Sequence, residues 1–330
     1  MIIVTGGAGF IGSALVAELN ARGLDDILIV DLLGSTEKWK NLRKLRFVDY
    51  MEAEDFAQII DSDNLEWEVE AVLHLGACSD TTETDAAFLI RNNYEYSKML
   101  AQWAIQKQTR FVYASSAATY GDGSVGFSDT DPIEKLIPLN IYGYSKQLFD
   151  LWAQKTGIQD QIVGLKFFNV FGPNEYHKGD MRSFIVKAFE QIKACGKVRL
   201  FKSHRPDYAD GMQLRDFIYV KDAVDMTLFF LENPEVNGLF NIGTGQARSW
   251  VDLAGAVFDA MGKQPNIEFI PMPEKLREKY QYFTQADISK LRAAGCRTSI
   301  TELESAVADY VRNYLMKDEY LGGEQKETDD

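Results

Sequence analysis

Thr5-Gly6-Gly7-Ala8-Gly9-Phe10-Ile11-Gly12 is the stretch on which the fold turns. Before it stands Ile2-Ile3-Val4, an apolar run of the kind left by a strand buried on both faces. After it, Ser13 to Arg22 carries apolar residues at helical spacing and stops at Gly23, a helix-ending signal. Ile27-Leu28-Ile29-Val30 reads as a second strand and runs into Asp31. Strand, glycine turn, helix, strand, acid is the order of a dinucleotide-binding unit, although Gly6-x-x-Gly9-x-x-Gly12 departs from the usual G-x-G-x-x-G spacing. The glycines allow a tight turn and close approach of backbone to a pyrophosphate, which the helix N-terminus attracts. An acid at the position of Asp31 can bind an adenosine ribose hydroxyl and favours NAD, whereas Lys38 and Lys40, a few residues on, can serve the 2′-phosphate of NADP. On these residues alone the choice stays open.

The alternation continues outward. Ala71 to Leu75 reads as a strand entering the small-residue turn Gly76-Ala77-Cys78-Ser79. Asn92 to Lys107 reads as a helix, Arg110 to Ala114 as a strand ending in Ser115-Ser116, Tyr142 to Lys155 as a helix and Gln161 to Phe168 as a strand. Strands alternating with helices predict an α/β fold with a doubly wound, parallel, Rossmann-like sheet whose ligands sit beyond the carboxyl ends of the strands. After Gly172-Pro173 the pattern loosens. Met181 to Cys195, Ser249 to Met261 and Ile288 to Ala294 look helical, Phe201 to Leu214 is loop-like, and Arg215 to Val220 and Leu239 to Gly243 look like strands. The expected division is a dinucleotide-binding domain over 1–170, with segments near 216–245 returning to it, and a smaller, mixed, mainly substrate-binding domain over 171–330. Leu321 to Asp330 is polar, acidic and expected to fray.

Composition excludes several classes. A net charge of −14 argues against a nucleic-acid partner held through phosphates, though a small anion can still be bound by local amides and cations. The three cysteines, Cys78, Cys195 and Cys296, have no metal-ligand spacing and read as reduced thiols, so no metal site is expected. No apolar run reaches the ~20 residues of a membrane span. No basic segment precedes the first strand, and a cytoplasmic protein is expected.

The chemistry lies in Tyr142-Gly143-Tyr144-Ser145-Lys146. Tyr142 and Lys146 are four apart and share a helix face, which Tyr144 does not. A free phenol titrates near ~10, and a neighbouring ammonium together with a cationic nicotinamide is expected to lower that. Ser116, or Ser115, ends a strand where it can hydrogen-bond a substrate oxygen. Thr81, Thr82 and Thr84 are turn formers or ligands. Lys178, in Tyr176-His177-Lys178-Gly179, is either a solvated loop cation or, once desolvated, a second acid–base group. Together these groups describe a nicotinamide enzyme that moves a hydride and a proton; a protein that only sensed a dinucleotide would not need Tyr142, Lys146 and Ser116 at once.

The glycine turn, Ser116 with the following Ala117-Ala118-Thr119-Tyr120-Gly121, and Tyr142-x-x-x-Lys146 resemble the extended short-chain dehydrogenase/reductases, the nucleotide-sugar epimerases and dehydratases, over nearly the whole chain. Gly76 to Ser79, Asn92-Asn93-Tyr94, Tyr113 to Gly121, His177-Lys178-Gly179 and Tyr280 to Asp287 are similar to the ADP-heptose 6-epimerases within that superfamily. The resemblance implies an isomerase of lipopolysaccharide core precursor synthesis, which oxidises the heptose C6 carbinol with bound NADP and re-reduces the ketone from its other face. It implies that Tyr142 and Lys178 are the two acid–base groups, that Ser116 assists polarisation, and that Lys146 holds the ribose and tunes Tyr142. Cofactor contacts would fall on Gly6, Gly9, Phe10, Ile11, Gly12, Asp31, Leu32, Lys38, Leu75, Gly76, Ala77, Cys78, Ser79, Asn92, Lys146, Val170 and Lys178. Substrate contacts would fall on Ser116, Asn169, Asp180, Lys187, Phe201, Lys202, Ser203, His204, Arg215 and Tyr280, with Arg215 as a diphosphate clamp. The family usually has Asn at position 32 and often Lys at position 53, where this chain has Leu32 and Ala53. Ser and His are usual where Asp180 and Lys187 stand, and the loop before Arg215 is longer here. A homo-oligomer, a pentamer, is implied. Ala117 and Ala118 stand where a dehydratase has acids, which disfavours β-elimination; a 4-epimerase stays open.

Overall fold

The computed structural model describes residues 1–277 and 280–323; the acidic end of the chain, 324–330, lies outside the described residues. In chain order the strands are β1 (Ile2–Thr5), β2 (Ile27–Asp31), β3 (Asp49–Glu52), β4 (Ala71–His74), β5 (Arg110–Ser116), β6 (Val163–Phe167), β7 (Asn169–Phe171), β8 (Val198–Phe201), β9 (Leu214–Tyr219), β10 (Gly238–Ile242), β11 (Ala247–Ser249) and β12 (Ile267–Ile270). The main helices are α1 (Phe10–Ala21), α2 (Ala53–Asp61), α3 (Ala86–Leu89), α4 (Tyr96–Gln106), α5 (Ile141–Lys155), α6 (Phe184–Cys195), α7 (Val220–Glu232) and α8 (Trp250–Ala260). A π-helical stretch, Ile90–Glu95, joins α3 to α4.

Seven strands form one sheet in the order β10-β6-β5-β4-β1-β2-β3, with every neighbouring pair parallel. This is the expected doubly wound arrangement, and the chain changes direction across the sheet between β1 and β4, where such folds open a ligand crevice. The alternation of side chains explains the apolar runs. Ile2, Val4, Ile27 and Ile29 point into a core shared with Leu15 and Leu19 of α1 and Val224 and Leu228 of α7. Ile3, Leu28 and Val30 point into the other core, with Phe56 of α2, Leu100 of α4 and Phe149 of α5. Strands covered on both faces need apolar residues at every position.

A smaller mixed sheet, β11-β9-β7, pairs β9 antiparallel with β11 and parallel with β7; β8 and β12 form a separate parallel pair. Strand β3 and helix α2 were not legible in the sequence. Asp49-Tyr50-Met51-Glu52 is a half-exposed edge strand of mixed polarity, which leaves no apolar run. Among the described residues no helix is long and apolar enough to cross a membrane.

Candidate active site

At the crevice the two turns meet. Gly6 has φ +69°, and a Cβ on it would lie 2.7 Å from the backbone nitrogen of Gly76. A Cβ on Gly12 would overlap the carbonyl oxygen of Gly6. Only glycine lets these backbones pack so closely. Gly9 begins α1 without a side-chain cap, and the first turn holds no acid. The free N–H groups there suit an anion, and the residues present fit a dinucleotide pyrophosphate.

Asp31 ends β2 and lines the cavity. Its carboxylate accepts from Ala8 N at 2.8 Å and Leu32 N at 2.6 Å, and pairs with Lys38. Lys40 pairs with Glu37 at 2.6 Å instead, so Lys38 is the lysine on the cavity. Leu32 is 48% exposed and is not on the cavity wall.

The cavity holds about 480 Å³ and is walled by both turns, the end of β5, the start of α5, β7 and the segment around Lys178. Asn140 caps α5 by accepting from Gly143 N at 2.8 Å, which sets the register of the helix. Tyr142 and Lys146 then face the cavity, while Tyr144 is 46% exposed. At the end of β5, Ser115 Oγ donates to Asp150 at 2.8 Å, which commits its proton. Ser116 Oγ accepts from Ala118 N at 3.1 Å and lines the cavity, where its hydroxyl faces Tyr142.

Burial dominates the acid–base groups. Lys146 donates to Ala114 O at 2.8 Å, and burial draws it down to about 8 against the pull of Asp150. Tyr142 is pushed above the ordinary phenol range by burial, with the Ser116 hydroxyl pulling the other way. Among the chain's own groups, the Lys146 ammonium does not offset this rise. Desolvation is the larger effect, and the ammonium's bond goes to a carbonyl. Lys178 lines the cavity, with Nζ 5.4 Å from the centre of the Phe10 ring; burial lowers its pKa and Glu175 opposes this. The solvated alternative for Lys178 does not hold.

Gly6, Gly9, Phe10, Ile11, Gly12, Asp31, Lys38, Leu75, Gly76, Ala77, Ser79, Ser116, Tyr142, Lys146, Asn169, Val170 and Lys178 are brought together on this wall. Other named residues are not. Cys78 lies just behind it, its amide bonded to Asn93 Oδ1 at 2.8 Å, and the Asn92 amide turns back to Phe88 O at 2.8 Å. Lys187 donates to Asp180 O at 2.6 Å, away from the wall. Phe201 ends β8, and Lys202, Ser203 and His204 follow it in the β8–β9 connection, where His204 N donates to Tyr282 at 2.9 Å. Arg215 is buried behind the wall, donating to the carbonyls of Leu214 and Gln281 and lying 5.8 Å from the Trp250 ring and 5.2 Å from that of Tyr280. Among the described residues it has no carboxylate partner.

Trp250, Phe184, Phe217 and Leu253 also line the cavity, and the sequence reading did not name them as site residues. Trp250 opens α8 behind a capping box in which Ser249 and Asp252 bond reciprocally. That Ser-x-x-Asp spacing was the available signal for a fixed aromatic at this point.

Residues 2–243 match the NAD dependent epimerase/dehydratase family. The ADP-L-glycero-D-manno-heptose-6-epimerase of Nitratidesulfovibrio vulgaris is 60% identical over 316 residues, covering 96% of this chain and 98% of that protein. The enzyme of the same name from Fusobacterium nucleatum is 50% identical over 333 residues, covering 97% and 100%. Among solved structures, Helicobacter pylori ADP-L-glycero-D-manno-heptose-6-epimerase superposes with a TM-score of 0.80 at 26% identity, covering 94% of this chain and 95% of that one. Thermus thermophilus UDP-glucose 4-epimerase, solved with NAD, gives 0.72 at 26% identity, covering 95% and 99%. The chain belongs to the NAD dependent epimerase/dehydratase family and, within it, to the ADP-L-glycero-D-manno-heptose-6-epimerases.

Proposed function

We propose that this protein converts ADP-D-glycero-D-manno-heptose to ADP-L-glycero-D-manno-heptose by inversion at C6, in lipopolysaccharide core precursor synthesis, with a resident nicotinamide dinucleotide. The observation that carries this reading is that two acid–base groups from separate segments, Tyr142 of α5 and Lys178 of the loop after β7, face one cavity. Inversion through a ketone needs a proton taken from the hydroxyl in one configuration and returned in the other. Burial disfavours the charged form of each group, the phenolate of Tyr142 and the ammonium of Lys178. Ser116, beside Tyr142, donates its hydroxyl proton to the substrate oxygen, and Lys146 holds the ribose. When bound, the nicotinamide supplies a reversible two-electron store beside the C6 carbinol.

The backbone from Gly6 to Gly12 and the turn Leu75 to Ser79, Cys78 included, hold the dinucleotide, with Phe10, Ile11, Asn92 and Val170 beside it. NADP is proposed over NAD because Lys38 lines the cavity, while Asp31, Leu32 and Ala53 favour NAD. Asn169, Arg215 and Tyr280 hold the ADP-heptose, with Asp180, Lys187 and Phe201 to His204 on its outer side. Arg215, without a carboxylate partner among the described residues, is suited to a diphosphate. We further propose that 1–170 binds mainly dinucleotide and 171–330 mainly substrate, and that the enzyme works in the cytoplasm as a homo-oligomer, a pentamer.

Proton NMR of ADP-D-glycero-D-manno-heptose incubated with the purified protein tests the function. Growth of the C6-inverted product without added cofactor is expected. No conversion, even after NADP⁺ and then NAD⁺ are supplied, would sink the heptose assignment.

A further inference from the structure

Beneath the two glycine turns runs a chain of buried polar side chains, Thr5, His74, Ser97, Asn93 and Ser145, each no more than 3% exposed. Its proton order follows from counting donors. Ser97 Oγ spends its one proton on Asn93 O, at 2.9 Å. Its 2.8 Å contact with His74 Nε2 is therefore a bond that the imidazole donates. Nδ1 is then bare and accepts, at 2.6 Å, from Thr5 Oγ1, which itself accepts from Gly76 N at 3.0 Å. The opposite tautomer would leave the Thr5 proton without an acceptor. Burial, aided by the Lys146 charge, holds His74 down at about 3, so this order does not change at working pH.

The chain continues into the catalytic helix. Asn93 accepts from Cys78 N at 2.8 Å and donates to Cys78 O at 2.9 Å and Ser145 Oγ at 3.0 Å. Ser145 Oγ donates to Tyr142 O at 2.7 Å. The imidazole packs edge-on against the Tyr96 ring and stacks on the Phe111 ring, with centroids 5.5 and 5.7 Å away, contacts that an apolar ring can also make. Packing therefore does not account for a histidine here. A fully satisfied buried network fixes one geometry among its members.

We propose that His74 is a positioning residue: through Thr5 and Gly76 on one side and Ser97 and Asn93 on the other, it sets the two dinucleotide-facing turns against the helix that carries Tyr142 and Lys146. A cofactor ring misplaced by about 1 Å can cost ~10²-fold in rate, so a device that fixes this spacing acts directly on turnover. The inference rests on the site reading above, but its dinucleotide arm is independent of which sugar is turned over.

The test compares His74→Phe, which keeps a ring and loses both bonds, with His74→Gln, which keeps one donor and one acceptor. Protein stripped of dinucleotide is titrated with NADP⁺ and NAD⁺ by calorimetry. Turnover of ADP-D-glycero-D-manno-heptose and thermal melting are measured alongside. In His74→Phe, Kd for the tighter dinucleotide should rise about tenfold and kcat fall at least about tenfold, with substrate KM within about threefold. His74→Gln should recover most of both. A lowered melting temperature with Kd and kcat unchanged would overturn the proposal and leave His74 as packing. If His74→Phe does not fold, Thr5→Val, which removes the hydroxyl on Nδ1, takes its place with the same expectations. If the wild-type protein ignores the heptose, the substrate assignment fails and the Kd comparison decides the inference alone.

Discussion

Tyr142 and Ser116 illustrate how far single residues can be read. The i,i+4 spacing separates Tyr142 from Tyr144, because helix geometry alone puts one on the face of Lys146 and the other off it. Nothing local separates Ser116 from Ser115, since both end β5; the choice falls to Asp150, thirty-five positions from Ser115, which takes its proton. Lys178 was ambiguous for the same reason, its burial being completed by Phe10 from far along the chain. Two outcomes follow at this scale. Tyr142→Phe should lower epimerisation by ~10²-fold or more, the usual worth of a positioned acid–base group, with dinucleotide Kd within about threefold. Retained turnover would remove Tyr142 from the mechanism. Lys38→Met should weaken NADP⁺ by about tenfold or more and NAD⁺ far less, since a charge-assisted phosphate contact is worth roughly 1.5–3 kcal/mol. Equal loss for both would mean that Lys38 serves only Asp31.

At the scale of elements, legibility tracked burial and length. Strands β1 and β2 announce themselves because both faces are covered, and the helix after the glycine turn because of its apolar periodicity and its stop at Gly23, although it begins at Phe10, three residues before Ser13. Strands β8 and β12 are four residues each and pair only with one another, so no run of apolar residues marks them. Helix α7 begins directly after β9 with no glycine or proline between them, which hides the boundary. Glycines give a paired prediction. Gly12→Ala would drive a methyl into the carbonyl of Gly6, backbone against backbone, and should abolish dinucleotide binding. Gly255→Ala, inside α8, meets nothing within 4 Å and should stabilise the fold by roughly 0.5–1 kcal/mol in urea titrations. Tight dinucleotide binding by Gly12→Ala would show that the turn can rearrange.

Across the whole molecule, buried histidines should shape the response to acid. Burial holds His74 down at about 3 and His177 at about 4, the latter helped by the charges of Lys38 and Lys178. In the unfolded chain both would titrate near ~6.5. As pH falls from 6.5 toward 4, the unfolded chain therefore binds protons that the folded chain refuses, and stability drops by up to about 1.4 kcal/mol per pH unit for each histidine. Asp129, Glu175, Asp216 and Asp222 work the other way: burial raises their pKa values, so they take protons in the folded state first and add stability as pH falls. A single acid titration mixes the two effects, and a difference between variants separates them. Urea midpoints of the wild-type protein and of a His74→Gln, His177→Gln double variant, measured at fixed protein concentration from pH 7.5 to 4.5, should converge as pH falls. The wild type loses the histidine contribution and the variant has none to lose, while the carboxylates act alike in both. Parallel curves would show that the two imidazoles take up protons in the folded state, and the fixed proton order through His74 would then fail with them.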